Sequence, residues 1–195
     1  GSLATWLVGT AAAARGDVTF TATSAAQGSQ VELQSNSVPL STDTSSGGPT
    51  AQTLLDSNGT SRAYAASPDP SQTGATAPAL ACSLSGLPVP AAGCNYPLFV
   101  TTERGQPSQK AGAPGNALAA ESQDTSTSAS VEVGQAPGPR AKVTSISSVL
   151  PNGRVKTRAD AATDAVTIGD AIVMRGLTVF AEADFTDGKL TTQQH

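Results

Sequence analysis

Over the C-terminal third of the chain, successive positions alternate between two faces. Val143, Ser145, Ser147 and Val149 interleave with Thr144, Ile146, Ser148 and Leu150. After Pro151-Asn152-Gly153 the alternation resumes, with Val155, Thr157, Ala159 and Ala161 set against Lys156, Arg158 and Asp160. Period two with β-branched residues predicts strands. Asn-Gly between two such runs predicts a hairpin closed by a type I′ turn, in which both turn residues take positive φ. The charged trio places one face of the second arm in water. Val166 and Ile168 lead through Gly169-Asp170 to Ile172 and Met174, and Arg175-Gly176 reads as the next turn. Leu177, Val179, Ala181, Ala183 and Phe185 form a further arm, and Asp187-Gly188 is a second hairpin signal. A fifth strand is expected to begin at Lys189 and to be cut short by the end of the sequence.

Earlier segments carry the same signal more weakly. Val18 to Thr23, Val31 to Ser35, Ser61 to Ala66 and Tyr96 to Thr102 read as short strands, and Ala117 to Val133 as a long run rich in small residues. Leu3 to Ala14 is ambiguous between helix and strand, and Ala77 to Leu84 has the composition of one or two helical turns. The stretches 41–50, 68–75, 86–93, 105–115 and 134–139 are punctuated by Gly, Pro or Ser and read as irregular. The expectation is a mostly β protein: an antiparallel meander built as a β-sandwich or half-barrel, with at most one or two short helices. It is expected to form a single domain over 1–195, with a sub-boundary near 134–140 between an irregular N-terminal half and the C-terminal meander.

Composition changes that picture in one respect. The 195 residues include 33 Ala, 22 Ser and 24 Thr, whereas Leu, Ile, Val and Phe together number only 35, so large core formers are scarce. The net charge of −4, with 11 scattered Lys and Arg, gives no basic stripe for nucleic acid or an anionic membrane surface. Apolar runs fall short of the roughly 20 residues that a membrane-spanning helix needs. Gly1-Ser2 reads as a cloning scar, so the chain is expected to be a fragment with any signal peptide already removed.

Cys82 and Cys94 lie twelve positions apart among Gly86, Pro88, Pro90 and Gly93. Two thiols without histidine cannot make a structural zinc site, and the spacing is not C-x-x-C. A disulfide closing a short loop, contributing about 3 kcal/mol, is the expected state and implies an extracytoplasmic compartment. The alternative is a pair of reduced, buried thiols.

Candidate chemistry is sparse. The single histidine, His195, is the last residue, so Ser-His-Asp and Cys-His arrangements lack their base, and no Gly-x-Ser-x-Gly elbow occurs. Glu32, Glu103, Glu121, Glu132 and Glu182 have no Trp and Tyr platform beside them in sequence that would hold a sugar for hydrolysis. Asp160, Asp164, Asp170, Asp184 and Asp187 match no calcium-loop spacing and read as solvated turn and strand residues. Arg15-Gly16-Asp17 spells an integrin-recognition tripeptide, and Asn58-Gly59-Thr60 fits the N-glycosylation pattern, although an Asn-Gly turn explains the latter equally well. No metal and no cofactor is expected.

Three stretches carry a resemblance: Ser61-Arg62-Ala63-Tyr64-Ala65-Ala66-Ser67-Pro68, then Gly86-Leu87-Pro88-Val89-Pro90, then Asn95-Tyr96-Pro97-Leu98-Phe99-Val100. In this order, followed by a Ser/Thr/Ala tract and a β meander, the chain resembles secreted and cell-surface β-rich proteins of high-GC Gram-positive bacteria. The similarity spans residues 50 to 188 and implies a location and a fold class, with no activity attached. The expected function is that of a non-enzymatic extracytoplasmic surface or envelope protein acting as a structural, adhesion or display module. Its partner would be an unknown surface or envelope component. The alternative is a carrier of an apolar ligand or lipid in a half-barrel cavity, with Ile172, Met174, Leu177, Val179 and Phe185 lining one face.

Overall fold

The computed structural model describes residues 10–12, 19–28, 30–33, 44–67, 69, 98–168 and 172–195. Secondary structure among these residues is entirely β. The N-terminal half supplies β1 (Thr10–Ala12), β2 (Thr19–Gln27), β3 (Gln30–Leu33), β4 (Thr44–Gly47), β5 (Thr50–Asp56), β6 (Ser61–Ser67) and β7 (Leu98–Glu103). The C-terminal half supplies β8 (Gln109–Ala113), β9 (Asn116–Ser122), β10 (Ser126–Val133), β11 (Ala141–Val149), β12 (Val155–Ile168), β13 (Ile172–Thr186) and β14 (Lys189–Gln194).

Each half makes its own antiparallel sheet. One has the order β1-β2-β5-β6-β7, and the other is an uninterrupted seven-stranded meander from β8 to β14. The two stack face to face, with β2 over β11 and β12, β5 over β10 and β11, β6 over β9 and β10, and β7 over β8 and β9. The result is a β-sandwich with open edges, not a barrel. The ribbon β3–β4 continues the β2–β5 ladder in the same register, beyond a break at Gly28 and Pro49.

Small residues let the sheets approach closely. The shared core consists of Ala26, Ala51, Ala63, Ala65 and Val100 against Leu118, Ala120, Ala129, Val131, Val143, Ala159 and Ala161. A second cluster joins Ala22, Leu55 and Val155, with Phe20, Val149 and Phe185 packed against it. Between these apolar groups runs a buried layer of hydroxyls. Ser24 Oγ donates to the Arg158 backbone carbonyl of the other sheet at 2.8 Å, Thr127 Oγ1 donates to the Arg62 carbonyl at 2.9 Å, and the Ser61 and Ser122 hydroxyls meet at 2.5 Å. Serine and threonine are thus partly core, and a hydroxyl buried there costs free energy unless it is hydrogen-bonded.

Several expectations need correction. The 134–140 segment is a loop joining β10 to β11, which pair directly through Val133 and Ala141. The N-terminal half is a sheet of its own and supplies five of the twelve buried residues of the main core. Ala117 to Val133 divides into β9 and β10, while β4, β5 and β8 fall in stretches expected to be irregular or left unassigned. Arg175-Gly176 is not a turn: β13 runs through it, with Gly176 at φ +62°, and keeps one register against β12 from Ile172 to Phe185.

The β11–β12 hairpin has the expected register, Val149 opposite Val155 and Val143 opposite Ala161. Its turn differs. Gly153 N–H donates to the Leu150 carbonyl at 2.9 Å, and of the turn residues only Gly153 has positive φ, at +77°. Pro151 and Asn152 thus form a three-residue loop with Gly153 in the left-handed position, in place of type I′. Asp187 and Gly188, at φ +50° and +76°, do make the two-residue turn with both residues left-handed.

Lys156, Arg158 and Asp160 project from the outer face, as the alternation requires. There Lys156 and Arg158, with Arg154 of the preceding turn, form a cross-strand ladder with β13: Lys156 to Glu182 at 2.9 Å, Arg158 to Glu182 at 3.2 Å, and Arg154 to Asp184, while Asp160 pairs with Arg158 on its own strand. Arg158 also lies 4.7 Å above the Phe180 ring.

Candidate functional site

On β6, Ser61, Ala63, Ala65 and Ser67 face the core, which turns Arg62, Tyr64 and Ala66 to the outer face of the five-stranded sheet. Cross-strand pairing aligns these outer residues in rows. Thr23, Leu54, Arg62 and Glu103 form one row, and Ala25, Gln52, Tyr64 and Thr101 the next. Short side chains at Thr23, Ala25 and Thr101 sit beside long ones at Arg62, Tyr64 and Glu103, so the face is hollowed. The hollow is a trough of about 540 Å³, with Leu54 in its lining.

Its charges cancel. Arg62 and Glu103 are joined at 2.7 Å, and both remain about half exposed or more, so the bond positions the two groups more than it stabilises the fold. Tyr64 is braced on two sides, its ring 6.4 Å from that of Phe99 and its hydroxyl 3.4 Å from Asp69 Oδ1. Burial, with the added effect of the Asp69 carboxylate, pushes the Tyr64 hydroxyl well above its ordinary range, so it stays protonated and donates. The trough therefore offers one held aromatic ring, an amide at Gln52, hydroxyls at Thr23 and Thr101, and an internally neutralised ion pair. These groups suit recognition. No pair of them is arranged as nucleophile and base.

Of the acidic residues singled out in the sequence, Glu103 lines the trough; the other candidates fall elsewhere. Cys82, Cys94, Arg15-Gly16-Asp17 and Asp170 lie outside the described residues. Because β13 passes through Arg175-Gly176 without turning, the five candidate apolar residues do not share a face. Leu177, Val179 and Phe185, opposite Thr163, Ala161 and Val155, are on the inner side, whereas Ile172 and Met174 are on the other. Ile172 and Met174 are exposed. Leu177 lines a separate cleft of about 260 Å³ with Gly28, Pro49, Ala161, Ala165 and Val166.

Asn58-Gly59-Thr60 is the β5–β6 turn. The Asp56 carboxylate accepts the Asn58 and Thr60 N–H groups at 2.9 and 2.8 Å, and Gly59 takes φ +87°. The bond from Thr60, with those from its neighbours, holds the Asp56 carboxyl below its ordinary range. Asp160, Asp164 and Asp184 are each engaged by an arginine, Arg158, Arg140 and Arg154 respectively.

Sequence reasoning passed over the trough. Its β6 wall lay in the Ser61 to Pro68 tract and its β7 wall in the Tyr96 to Thr102 strand, but nothing local said that these two pair, nor that β5 lies beside them. Compared with protein-family models, with curated proteins and with solved structures, the chain has no match.

Proposed function

We propose that the chain is a non-enzymatic binding module of an extracytoplasmic surface or envelope protein, and that it meets its partner through the outer face of the five-stranded sheet. The observation that carries this reading is the trough along Leu54, Arg62, Tyr64 and Thr101, whose volume of about 540 Å³ falls within the roughly 300–1,000 Å³ range of ligand sites. A sandwich bonded across its interior is a suitable scaffold, because it fixes the strands that set the spacing of the trough walls. The extracytoplasmic location rests on Cys82 and Cys94, twelve positions apart in a Pro- and Gly-rich stretch, together with the likeness to secreted proteins.

The carrier reading is less well supported. Its five lining residues divide between two faces, and the cleft that Leu177 does line, about 260 Å³, is small for a lipid. Capture assays on the full chain immobilised through an engineered tag test the proposal against purified polysaccharides, proteins and lipid vesicles. Saturable capture that is lost in Thr101→Trp, which fills the trough from the edge strand, is the expected result. Capture that Thr101→Trp leaves intact overturns the proposal, as does native mass spectrometry that finds a stoichiometric lipid on the purified chain.

A further inference from the structure

We infer that the trough takes a neutral, hydroxyl-rich chain, a stretch of uncharged polysaccharide, an inference that rests on the binding-module reading above. Charge is the first argument. The two ionic groups in the lining are paired with each other at 2.7 Å, so the site has no net charge to offer an anion such as phosphate or uronate. Yet the outward atoms of an Arg–carboxylate pair still present donors and acceptors side by side, the pattern that adjacent sugar hydroxyls complement.

Position is the second argument. The trough lies across the faces of β2, β5, β6 and β7, and β2, β5 and β6 are flanked on both sides by ladder partners. Their main-chain N–H and C=O groups are committed to the sheet, so an extended peptide laid on this face would find no backbone partners of the kind a sheet edge provides. A saccharide needs none. One face of its ring is apolar C–H surface that can rest on Tyr64 and Leu54, while its hydroxyls reach Gln52, Thr23 and Thr101 or stay in water. The bracing of Tyr64 between Phe99 and Asp69 supplies the third argument, because a ring already held in place loses little freedom when a ligand stacks on it.

The test is a titration of the ¹⁵N-labelled full chain with three neutral hexasaccharides (of β-1,4-glucose, α-1,4-glucose and β-1,4-mannose), with oligogalacturonate and with palmitate, followed by amide NMR. At least one neutral hexasaccharide is expected to shift the amides of Leu54, Arg62, Tyr64 and Thr101. Tyr64→Ala should weaken that binding roughly tenfold or more, as loss of a single aromatic anchor does. Thr101→Trp should abolish it while leaving the spectrum of the β9–β13 amides unchanged, which separates filling of the trough from unfolding. If the trough amides respond only to oligogalacturonate or palmitate, the ligand class is wrong and the binding-module reading stands. If none of these compounds shifts them, the saccharide inference fails, and the capture assay with Thr101→Trp decides the broader reading independently.

Discussion

Thr53 and Ser145, on opposite sheets, bring their hydroxyls to 2.9 Å of each other in the buried interior. Thr53 stands at the same distance from Ser147, and Ser145 reaches both the Ser24 carbonyl and the Ser24 hydroxyl at 2.9 Å. One assignment uses every proton: Ser147 donates to Thr53, Thr53 to Ser145, Ser145 to the Ser24 carbonyl, and Ser24 to the Arg158 carbonyl. Thr53→Val then leaves the Ser147 proton without its acceptor in a buried layer. It should destabilise the protein by about 1–3 kcal/mol, whereas Thr178→Val on the exposed outer surface should stay within about 0.5 kcal/mol. Urea denaturation of both variants gives the comparison, and equal midpoints would mean that the hydroxyl chain contributes nothing.

How much of this was legible in the sequence depends on which interaction set the outcome. The β11–β12 register was legible because its loop is local and a slip by one residue would carry Lys156, Arg158 and Asp160 into the core. Which face is the core was not. In β11 the serines Ser145 and Ser147 are fully buried while Ile146 is 45% exposed, the reverse of their hydropathy. Close approach of two sheets favours small side chains that bond across the gap, and no single strand reveals that its partner sheet is close. In β5, adjacent Leu54 and Leu55 break the alternation, because one lines the outer trough and the other the core. In β13, Gly176 mimics a turn but is tolerated within the strand, so the apolar residues on either side were assigned to one face when they occupy two. The trough itself depends on the pairing of β6 with β7, whose starts lie 37 positions apart, and such pairing leaves no local trace.

Thr102 marks the opposite case to Thr53. It is fully buried, and its hydroxyl has no hydrogen-bond partner among the described residues. Valine has nearly the same shape without the polar atom. Thr102→Val should therefore raise stability by on the order of 1 kcal/mol, since the cost of desolvating an unpaired hydroxyl disappears. A lower thermal midpoint for the variant would show that this hydroxyl has a bonding role.

Acid should weaken the sandwich through the outer ladder. The Lys156 ammonium, and with it Arg158, holds the Glu182 carboxyl below its ordinary range despite partial burial; Arg154 does the same for Asp184. A carboxyl whose pKa is depressed in the folded state contributes stability above its unfolded pKa of roughly 4, and that contribution is lost as the pH falls toward the folded value. Glu182→Gln should thus be less stable than the parent at about pH 7, and the difference should narrow at about pH 2.5 as the parent carboxyl takes up its proton. Urea midpoints at the two pH values make the check, and an offset of the same size at both would assign the loss to packing.

Two glycines with positive φ separate backbone strain from steric exclusion. Gly153 sits at φ +77° with open space where a Cβ would go. Gly134 sits at φ +102°, its N–H donates to the Gly115 carbonyl at 2.7 Å, and a Cβ there would fall 2.2 Å from the Pro139 carbonyl oxygen and 2.9 Å from the Arg140 Cα. Gly153→Ala incurs only the left-handed penalty, about 1–2 kcal/mol. Gly134→Ala adds a clash with backbone, which cannot rotate aside as a side chain can, so the cost should exceed about 3 kcal/mol. The damage should also localise: amide exchange in Gly134→Ala should quicken along the β10–β11 ladder from Val133 and Ala141 inward, while Gly153→Ala should loosen the other end of β11, at Val149 and Val155. Equal losses of stability in the two variants would mean that the loop around Gly134 gives way freely, and that β10 and β11 are held together by their ladder alone.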